Sequence, residues 1–96
     1  MDKSTQIKQT VAKIDLEKIT NYPEHPQSKT LRQIIRYSER ILGSNKEEEI
    51  FRLAVHLAYG LEMIVNKVGY VKNEIEKKYW LEISDELFKN TVGKKK

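Results

Sequence analysis

Cysteine is absent from the sequence, and this absence excludes disulfide bonds, thiol catalysis and cysteine-ligated zinc or iron–sulfur sites. It is also typical of proteins kept in a reducing compartment, so we expect a cytoplasmic protein. Proline is scarce, and the two prolines, Pro23 and Pro26, fall within one short segment. Because proline lacks an amide hydrogen and restricts the residue before it, we predict a loop over residues 20–28.

A long uninterrupted apolar run is also missing. The N-terminal segment MDKSTQIKQTVAK lacks the continuous apolar stretch of a signal peptide. The most apolar part of the chain lies between positions 50 and 68, but Arg52, His56, Glu62 and Lys67 interrupt it. A membrane-spanning helix needs about 20 predominantly apolar residues, so the sequence predicts a protein without membrane contact.

Glycine is scarce as well, with four residues in the chain, and neither strand-like alternation nor a glycine-rich phosphate loop occurs. Hydrophobic residues make up 39% and charged residues 33% of the 96 residues, which suits one domain with a modest core. Apolar residues recur every three or four positions, as on one side of a helix. We predict an all-α fold, a small four-helix bundle with a long apolar central helix. Residues 1–93 form its single helical domain and residues 94–96 a basic C-terminal tail.

The first two helices are predicted on either side of the proline loop. The first covers residues 4–19, where apolar residues follow helical spacing. The second begins after a cap at Ser28 or Thr30, because both hydroxyls can accept a hydrogen bond from the amides of the first turn. It ends at Gly43, for which the sequence predicts a left-handed conformation.

The third and fourth helices are predicted from apolar spacing and from capping patterns. Ser44 and Glu47 have the spacing of a capping box, and the third helix runs from about residue 45 to residue 69. Asn73 and Glu76 repeat the pattern at the start of the fourth helix. Ile75 is assigned to the core-facing side of this last helix.

Four cations lie on one face of the second predicted helix. At about 100° per residue they fall within a sector of roughly 80°, and apolar residues fill the opposite sector. We call them the basic stripe: Lys29, Arg32, Arg36 and Arg40. The stripe holds three of the four arginines in the chain, although lysine outnumbers arginine fourteen to four. Because the planar guanidinium binds phosphate or carboxylate through two parallel hydrogen bonds, the stripe predicts contact with nucleic-acid phosphates or with an acidic protein surface. The alternative is an ordinary solvated helix face.

Two features accompany the basic stripe. Tyr37 lies beside it and Tyr22 lies in the preceding loop, where their rings either stack on bases or close the edge of the core. The tail is predicted to add phosphate contacts through Lys94, Lys95 and Lys96. The net charge of +4 is too small for a protein that coats nucleic acid.

The third predicted helix carries more apolar residues than one core face requires. A second row is spaced by four residues: Phe51, Val55, Tyr59 and Met63. It is covered either by other helices of the same chain or by a partner, which is another protein subunit or a second copy of this chain. Tyr79, Trp80 and Phe88 are a similar surplus on the fourth helix, and they predict a second interface or a cap on a small core.

The sequence offers little for catalysis. His25 and His56 are the only histidines, and no third metal ligand has a suitable offset from either. No serine is placed with a histidine and an acid, and the carboxylates have spacings suited to pairing with Lys and Arg. We therefore predict no enzyme activity, no metal, no cofactor and no small-molecule substrate.

These observations favour a non-enzymatic accessory subunit of a nucleic-acid-handling complex in replication, transcription or defence. Its apolar helix faces bind a partner protein and its basic stripe faces phosphate. One alternative is a self-contained dimeric DNA-binding regulator, although the helix after the turn at Gly43 is too apolar for a recognition helix. The other is a protein-only adaptor or inhibitor that binds an acidic surface.

Overall fold

The structure, a computed structural model, describes residues 2–67 and 69–91, and all regular secondary structure in these ranges is helical. The α-helices are α1 (Lys3–Val11), α2 (Leu16–Thr20), α3 (Lys29–Gly43), α4 (Glu47–Glu62) and α5 (Glu74–Thr91). A 3₁₀ turn at His25–Gln27 precedes α3, and a π-helical turn at Met63–Lys67 extends α4. The prediction of an all-α helical bundle is confirmed. Within the described ranges, no helix has both the length and the apolar character that crossing a membrane requires.

The first predicted helix, residues 4–19, is in fact two helices. Between them the amides of Lys13 and Ile14 bond to carbonyls three residues back, which tightens and ends α1. Asp15 then starts α2, because its carboxylate accepts a hydrogen bond from the Lys18 amide at 3.1 Å. Aspartate destabilises the interior of a helix but stabilises its start as a cap. This preference outweighed the continuous apolar spacing.

The start of α3 agrees with the sequence, and its end does not. The Ser28 hydroxyl accepts a hydrogen bond from the Leu31 amide at 3.2 Å, so the predicted cap is confirmed. Gly43 is the last helical residue but is not left-handed. The helix ends because Ser44 adopts an extended conformation, with φ −95° and ψ 144°. Among the described residues, the positive φ is found at Gly69, at 74°, where the chain turns toward α5.

The predicted capping box at the start of α4 is wrong. Lys46 is the residue that precedes the helix, and its side chain makes no capping hydrogen bond. The Ser44 hydroxyl accepts from the Lys46 amide at 3.1 Å and donates to the Glu49 carboxylate at 2.7 Å. It therefore bonds to Glu49, two residues beyond the predicted Glu47, because the extended backbone at Ser44 places its hydroxyl beside the second half of the first turn.

Helix α4 lies at the centre of the bundle and packs against α1, α3 and α5. Leu57, Ala58 and Leu61 are fully buried. The Ser84 hydroxyl of α5 donates to the Ala58 carbonyl at 2.9 Å, which joins the two helices inside the core. Helix α4 itself has 16 residues and the π-helical turn continues it to Lys67, whereas the third predicted helix ran from about residue 45 to residue 69.

The start of α5 confirms one prediction and corrects another. The Asn73 side-chain oxygen accepts from the amides of Ile75 and Glu76 at 2.8 and 3.2 Å, so the predicted cap at Asn73 is confirmed, while the Glu76 carboxylate bonds to Tyr22 and Lys18. Ile75 does not face the core, because its side chain is 82% exposed. The buried face of α5 is centred near Trp80, and five residues of helix place Ile75 about 140° away from it.

Candidate nucleic-acid interface

Three members of the basic stripe form an open cationic surface. Lys29, Arg32 and Arg36 are exposed, and they lie opposite the residues of α3 that enter the core. Over seven residues they extend along roughly 10 Å of helix. None of the three forms an ion pair with a described residue. Arg32 is anchored through Nε, which donates to the Ser28 carbonyl at 3.2 Å.

Arg40, the fourth member, has a carboxylate partner. Its Nη2 lies 2.7 Å from Glu49 Oε2, across the connection between α3 and α4. The hydrogen bond from Ser44 and the pairing with Arg40 lower the pKa of Glu49 below its usual value. Because Glu49 compensates the charge of Arg40, this arginine mainly joins α3 to α4, and the stripe offers three uncompensated cations.

A groove of about 210 Å³ runs between α3 and α4 beside the stripe. Tyr37 of α3 and His56 of α4 face each other across it, with ring centroids 5.9 Å apart. Tyr59 is 54% exposed, and its ring is held edge-to-face against Phe88 of α5 at 5.0 Å. We call this the α3–α4 groove, and its aromatic walls are already held in place by the fold.

A glycine brings the two walls of the α3–α4 groove close together. A Cβ atom on Gly60 would lie 3.1 Å from Cγ1 of Ile34, tighter than ordinary van der Waals contact. Helices α3 and α4 therefore approach each other closely where Gly60 meets Ile34. They run antiparallel, because Arg40 meets Glu49 near the connection and Ile34 meets Gly60 far from it.

Only half of the second apolar row predicted on the third helix is covered by its own chain. Phe51 and Val55 are partly buried against the core. Met63 is 36% exposed and, with Tyr59, lines the α3–α4 groove. The row therefore divides into a packed half and an open half, and the open half faces the side of α3 that carries Tyr37.

The predicted interface residues of α5 also divide. Trp80 is fully buried and Phe88 is 4% exposed, so both are core residues and present no surface to a partner. Tyr79 is partly exposed, and its hydroxyl donates to the Lys13 carbonyl in the turn after α1. The tail residues Lys94, Lys95 and Lys96 lie outside the described residues.

Tyr22 lies away from the stripe and takes part in a polar network. Its ring stacks on Tyr70 at 6.2 Å, and its hydroxyl donates to Glu76 Oε1 at 2.9 Å. Lys18 pairs with the other oxygen of Glu76 at 2.8 Å. Burial, helped by the Glu76 carboxylate, raises the pKa of Tyr22 well above its usual range. The network joins α2 and the proline loop to α5, and sequence spacing does not indicate it because the residues are more than 50 positions apart.

The Glu76 carboxylate makes the stability of the fold dependent on pH. Partial burial alone would raise its pKa, but hydrogen bonds from Lys18 and Tyr22 outweigh burial and hold the pKa below the usual 4.5. Its stabilising effect is therefore present above pH 4.5 and is lost as pH falls through the lowered folded-state pKa.

We expect Glu76→Gln to lower the free energy of unfolding by about 1 kcal/mol at neutral pH, because one charge-assisted hydrogen bond is lost from a partly buried site. The difference from wild type should shrink as the pH falls below 4.5. Urea unfolding at a series of pH values measures both effects. The control is Glu74→Gln, since the Glu74 side chain is 86% exposed and should have little effect. A difference that stays constant with pH would contradict a role for the Glu76 charge.

Groups suited to holding a metal are not assembled in the part of the chain that the structure describes: no three histidine, aspartate or glutamate side chains come together there. Glu49, Glu76 and Glu86 have lowered pKa values, and each of these carboxylates bonds to a hydroxyl and to a cationic side chain of another segment. Lys29, Arg32 and Arg36 of the stripe, in contrast, have no ion-pair partner among the described residues. No family model matches the sequence, and neither a curated protein nor a solved structure is significantly similar to it.

Proposed function

We propose that this chain is a non-enzymatic helical accessory subunit of a nucleic-acid-handling complex, and that it contacts the phosphate backbone through Lys29, Arg32 and Arg36. The observation that carries the proposal is the exposure of these three cations on the face of α3 opposite the core, without ion-pair partners in the described ranges. Contacts of this kind fix the position of a protein on nucleic acid without reading its sequence.

The geometry of the stripe favours phosphate over an acidic protein surface. Cations three and four residues apart on a helix have Cβ atoms about 5–6 Å from each other, and their long side chains can follow successive phosphates of one strand. An aromatic groove directly beside the cations suits bases attached to those phosphates. A carboxylate-rich protein surface would use the stripe and would leave this groove without a role.

The subunit role is supported by a second exposed region, on α5. Ile75 and Tyr79 line an open depression of about 410 Å³ between α2 and α5, together with Lys18. Exposed apolar side chains bordered by polar and charged residues are typical of protein–protein contact sites. This region lies on a helix that packs mainly against α4 and α1, so a partner bound there leaves α3 open.

The regulator alternative is less well supported. A helix-turn-helix crosses its two helices at about 90–120° and inserts the second into the major groove. Here α3 and α4 lie antiparallel, and α4 buries one side among three other helices. Its buried face is not available to a DNA groove, and its exposed face carries Tyr59 and Met63 rather than a set of cations.

The proposal predicts salt-dependent binding of a labelled oligonucleotide. Three phosphate contacts to a single strand should give a slope of about −2 in a plot of log affinity against log salt, because about 0.7 counterions are released per contact. Fluorescence anisotropy in increasing NaCl measures the slope. Absence of binding at low salt, or an affinity that salt does not change, would overturn the phosphate contact.

The adaptor alternative is tested by affinity purification from the native host with and without nuclease. Partners that remain after nuclease treatment, from a protein that also binds the oligonucleotide, support the accessory subunit. The same partners from a protein that does not bind the oligonucleotide would instead establish the adaptor. Loss of every partner with nuclease would favour a protein that binds nucleic acid by itself.

A further inference from the structure

The stripe and the α3–α4 groove lie side by side along α3, and residues of the two alternate in the sequence. The residues of α3 that line the groove include Thr30, Gln33 and Tyr37. Each directly follows a cation of the stripe, at positions 29, 32 and 36. Neighbouring residues on a helix are about 100° apart, so each pair has one side chain on the outer face and one turned toward α4. A phosphate held by the stripe therefore has its base within reach of the groove.

The groove has the size and the lining that one base requires. Its volume of about 210 Å³ lies below the roughly 300–1,000 Å³ of ordinary small-molecule sites, which suits an occupant no larger than a single base. Tyr59 lines the groove and is 54% exposed, and its edge-to-face contact with Phe88 holds the ring in place before anything binds. Gln33 and His56 lie on opposite helices and carry donors and acceptors suited to the edge of a base.

We propose that the α3–α4 groove binds one unpaired nucleobase by stacking on Tyr59, so that the protein prefers single-stranded to double-stranded nucleic acid. The proposal rests on the proposed function, because the stripe supplies the phosphate contact that brings the base to the groove. It specifies single-stranded nucleic acid as the preferred ligand and names Tyr59 as the residue that distinguishes single strands from duplexes.

Binding should depend on strand type, because the groove can accept only a base that is not stacked within a duplex. In a double helix the bases face one another and stack on their neighbours, so a duplex can lie on the stripe without placing a base between α3 and α4. A single strand turns its bases outward at little cost, and stacking on a protein aromatic ring is tolerant of base identity. The expected preference is therefore for strand type, with little dependence on sequence.

The test compares a labelled oligothymidylate with a blunt duplex of the same length, using fluorescence anisotropy at one low salt concentration. Tyr59→Ala should weaken binding of the single strand by about 5- to 150-fold, the range expected for one base–aromatic stack. Duplex affinity should change less than about twofold, since the variant keeps all three stripe cations. Tyr59→Phe should keep the wild-type affinity for both, because it keeps the ring.

Two further variants protect the test against a folding defect. Tyr59→Leu keeps apolar bulk against Phe88 but lacks a flat ring, so it should weaken single-strand binding as Tyr59→Ala does. Leu42→Ala removes an exposed apolar side chain of α3 outside the groove and should leave both affinities unchanged. Circular dichroism of every variant establishes that the bundle is intact.

Each outcome separates this inference from the proposed function. Equal binding of both strand types by wild type, or equal losses for single strand and duplex in the folded Tyr59 variants, would overturn the base site and leave the phosphate contact standing. Absence of binding to either nucleic acid would overturn the proposed function itself. Selective loss of single-strand binding in Tyr59→Ala and Tyr59→Leu, with Tyr59→Phe unchanged, would establish the base site.

Discussion

Replacing Lys29, Arg32 and Arg36 together by glutamate is expected to weaken nucleic-acid binding by at least about two orders of magnitude at 0.1 M salt. Each lost phosphate contact removes about 0.7 released counterions for a single strand, which corresponds to a factor of about 5 at this salt concentration. Three contacts multiply to about 100-fold, and the new negative charges repel the backbone further. Anisotropy with the oligothymidylate measures the loss, and its salt dependence should disappear with it.

The same variant should remain folded. All three side chains are exposed on the face of α3 opposite the core, and solvent-exposed substitutions usually change stability by less than about 0.5 kcal/mol each. Glutamate at position 29 is also favourable, because it lies at the start of α3, where the helix dipole attracts negative charge. Thermal unfolding by circular dichroism checks this expectation.

The matched control replaces three other exposed lysines by glutamate. All three lie on α5 or just before it: Lys72, Lys78 and Lys89. It changes the net charge by the same amount on a segment that packs mainly against α4 and α1. If binding depends on the stripe, this control should lose far less affinity than the stripe variant. Equal losses would show that net charge alone attracts nucleic acid, and a melted stripe variant would show that these side chains serve the fold.

Replacing Trp80 by alanine is expected to lower the free energy of unfolding by about 3–5 kcal/mol, the usual cost of truncating a buried large aromatic residue. Trp80 is fully buried in α5, within a hydrophobic cluster to which all five helices contribute, and its ring meets Tyr79 at 4.8 Å. A domain of this size has a total stability of roughly 5–15 kcal/mol, so the variant should be marginally folded. Urea unfolding followed by circular dichroism measures the change.

Two controls on the same helix make this result specific. Trp80→Phe keeps an aromatic ring in the same buried site but leaves part of the indole volume unfilled, so we expect a loss of about 1–2 kcal/mol. Ile75→Ala truncates a side chain that is 82% exposed and should cost less than about 0.5 kcal/mol. A loss for Trp80→Ala as small as that for Ile75→Ala would contradict the burial of Trp80.

Local patterns predicted those helix ends that depend on a single side chain bonding to a nearby amide. Ser28 and Asn73 cap α3 and α5 as expected, because an oxygen two or three residues before an amide reaches it in almost any context. The capping box at Ser44 failed because the backbone there is extended and the hydroxyl finds Glu49 instead. The break at Asp15 was missed because apolar spacing continues through it.

The candidate site also combines features that local spacing predicts with features that depend on distant contacts. Helical spacing alone indicated that the stripe faces away from the core, because it needs only the rotation of each residue around one helix. The groove beside it depends on which helix packs against each flank of α3, and this is decided by Ile34 meeting Gly60 far along the chain. The signal available in the sequence was the set of polar and aromatic residues that directly follow the stripe cations at positions 30, 33 and 37.

The sequence by itself therefore determined the all-α class, two of the helix caps and the exposed face of α3, since all of these follow from interactions within one or two helical turns. Tertiary structure decided which side chains are buried and which charges pair, because these features depend on packing between distant parts of the chain. It placed Trp80 and Phe88 in the core, left Ile75 in solvent, and paired Arg40 with Glu49. It also opened the α3–α4 groove between Tyr37 and Tyr59. Burial depends on the neighbours of a residue in space, and helical periodicity gives the direction of a side chain without the identity of the surface that it meets.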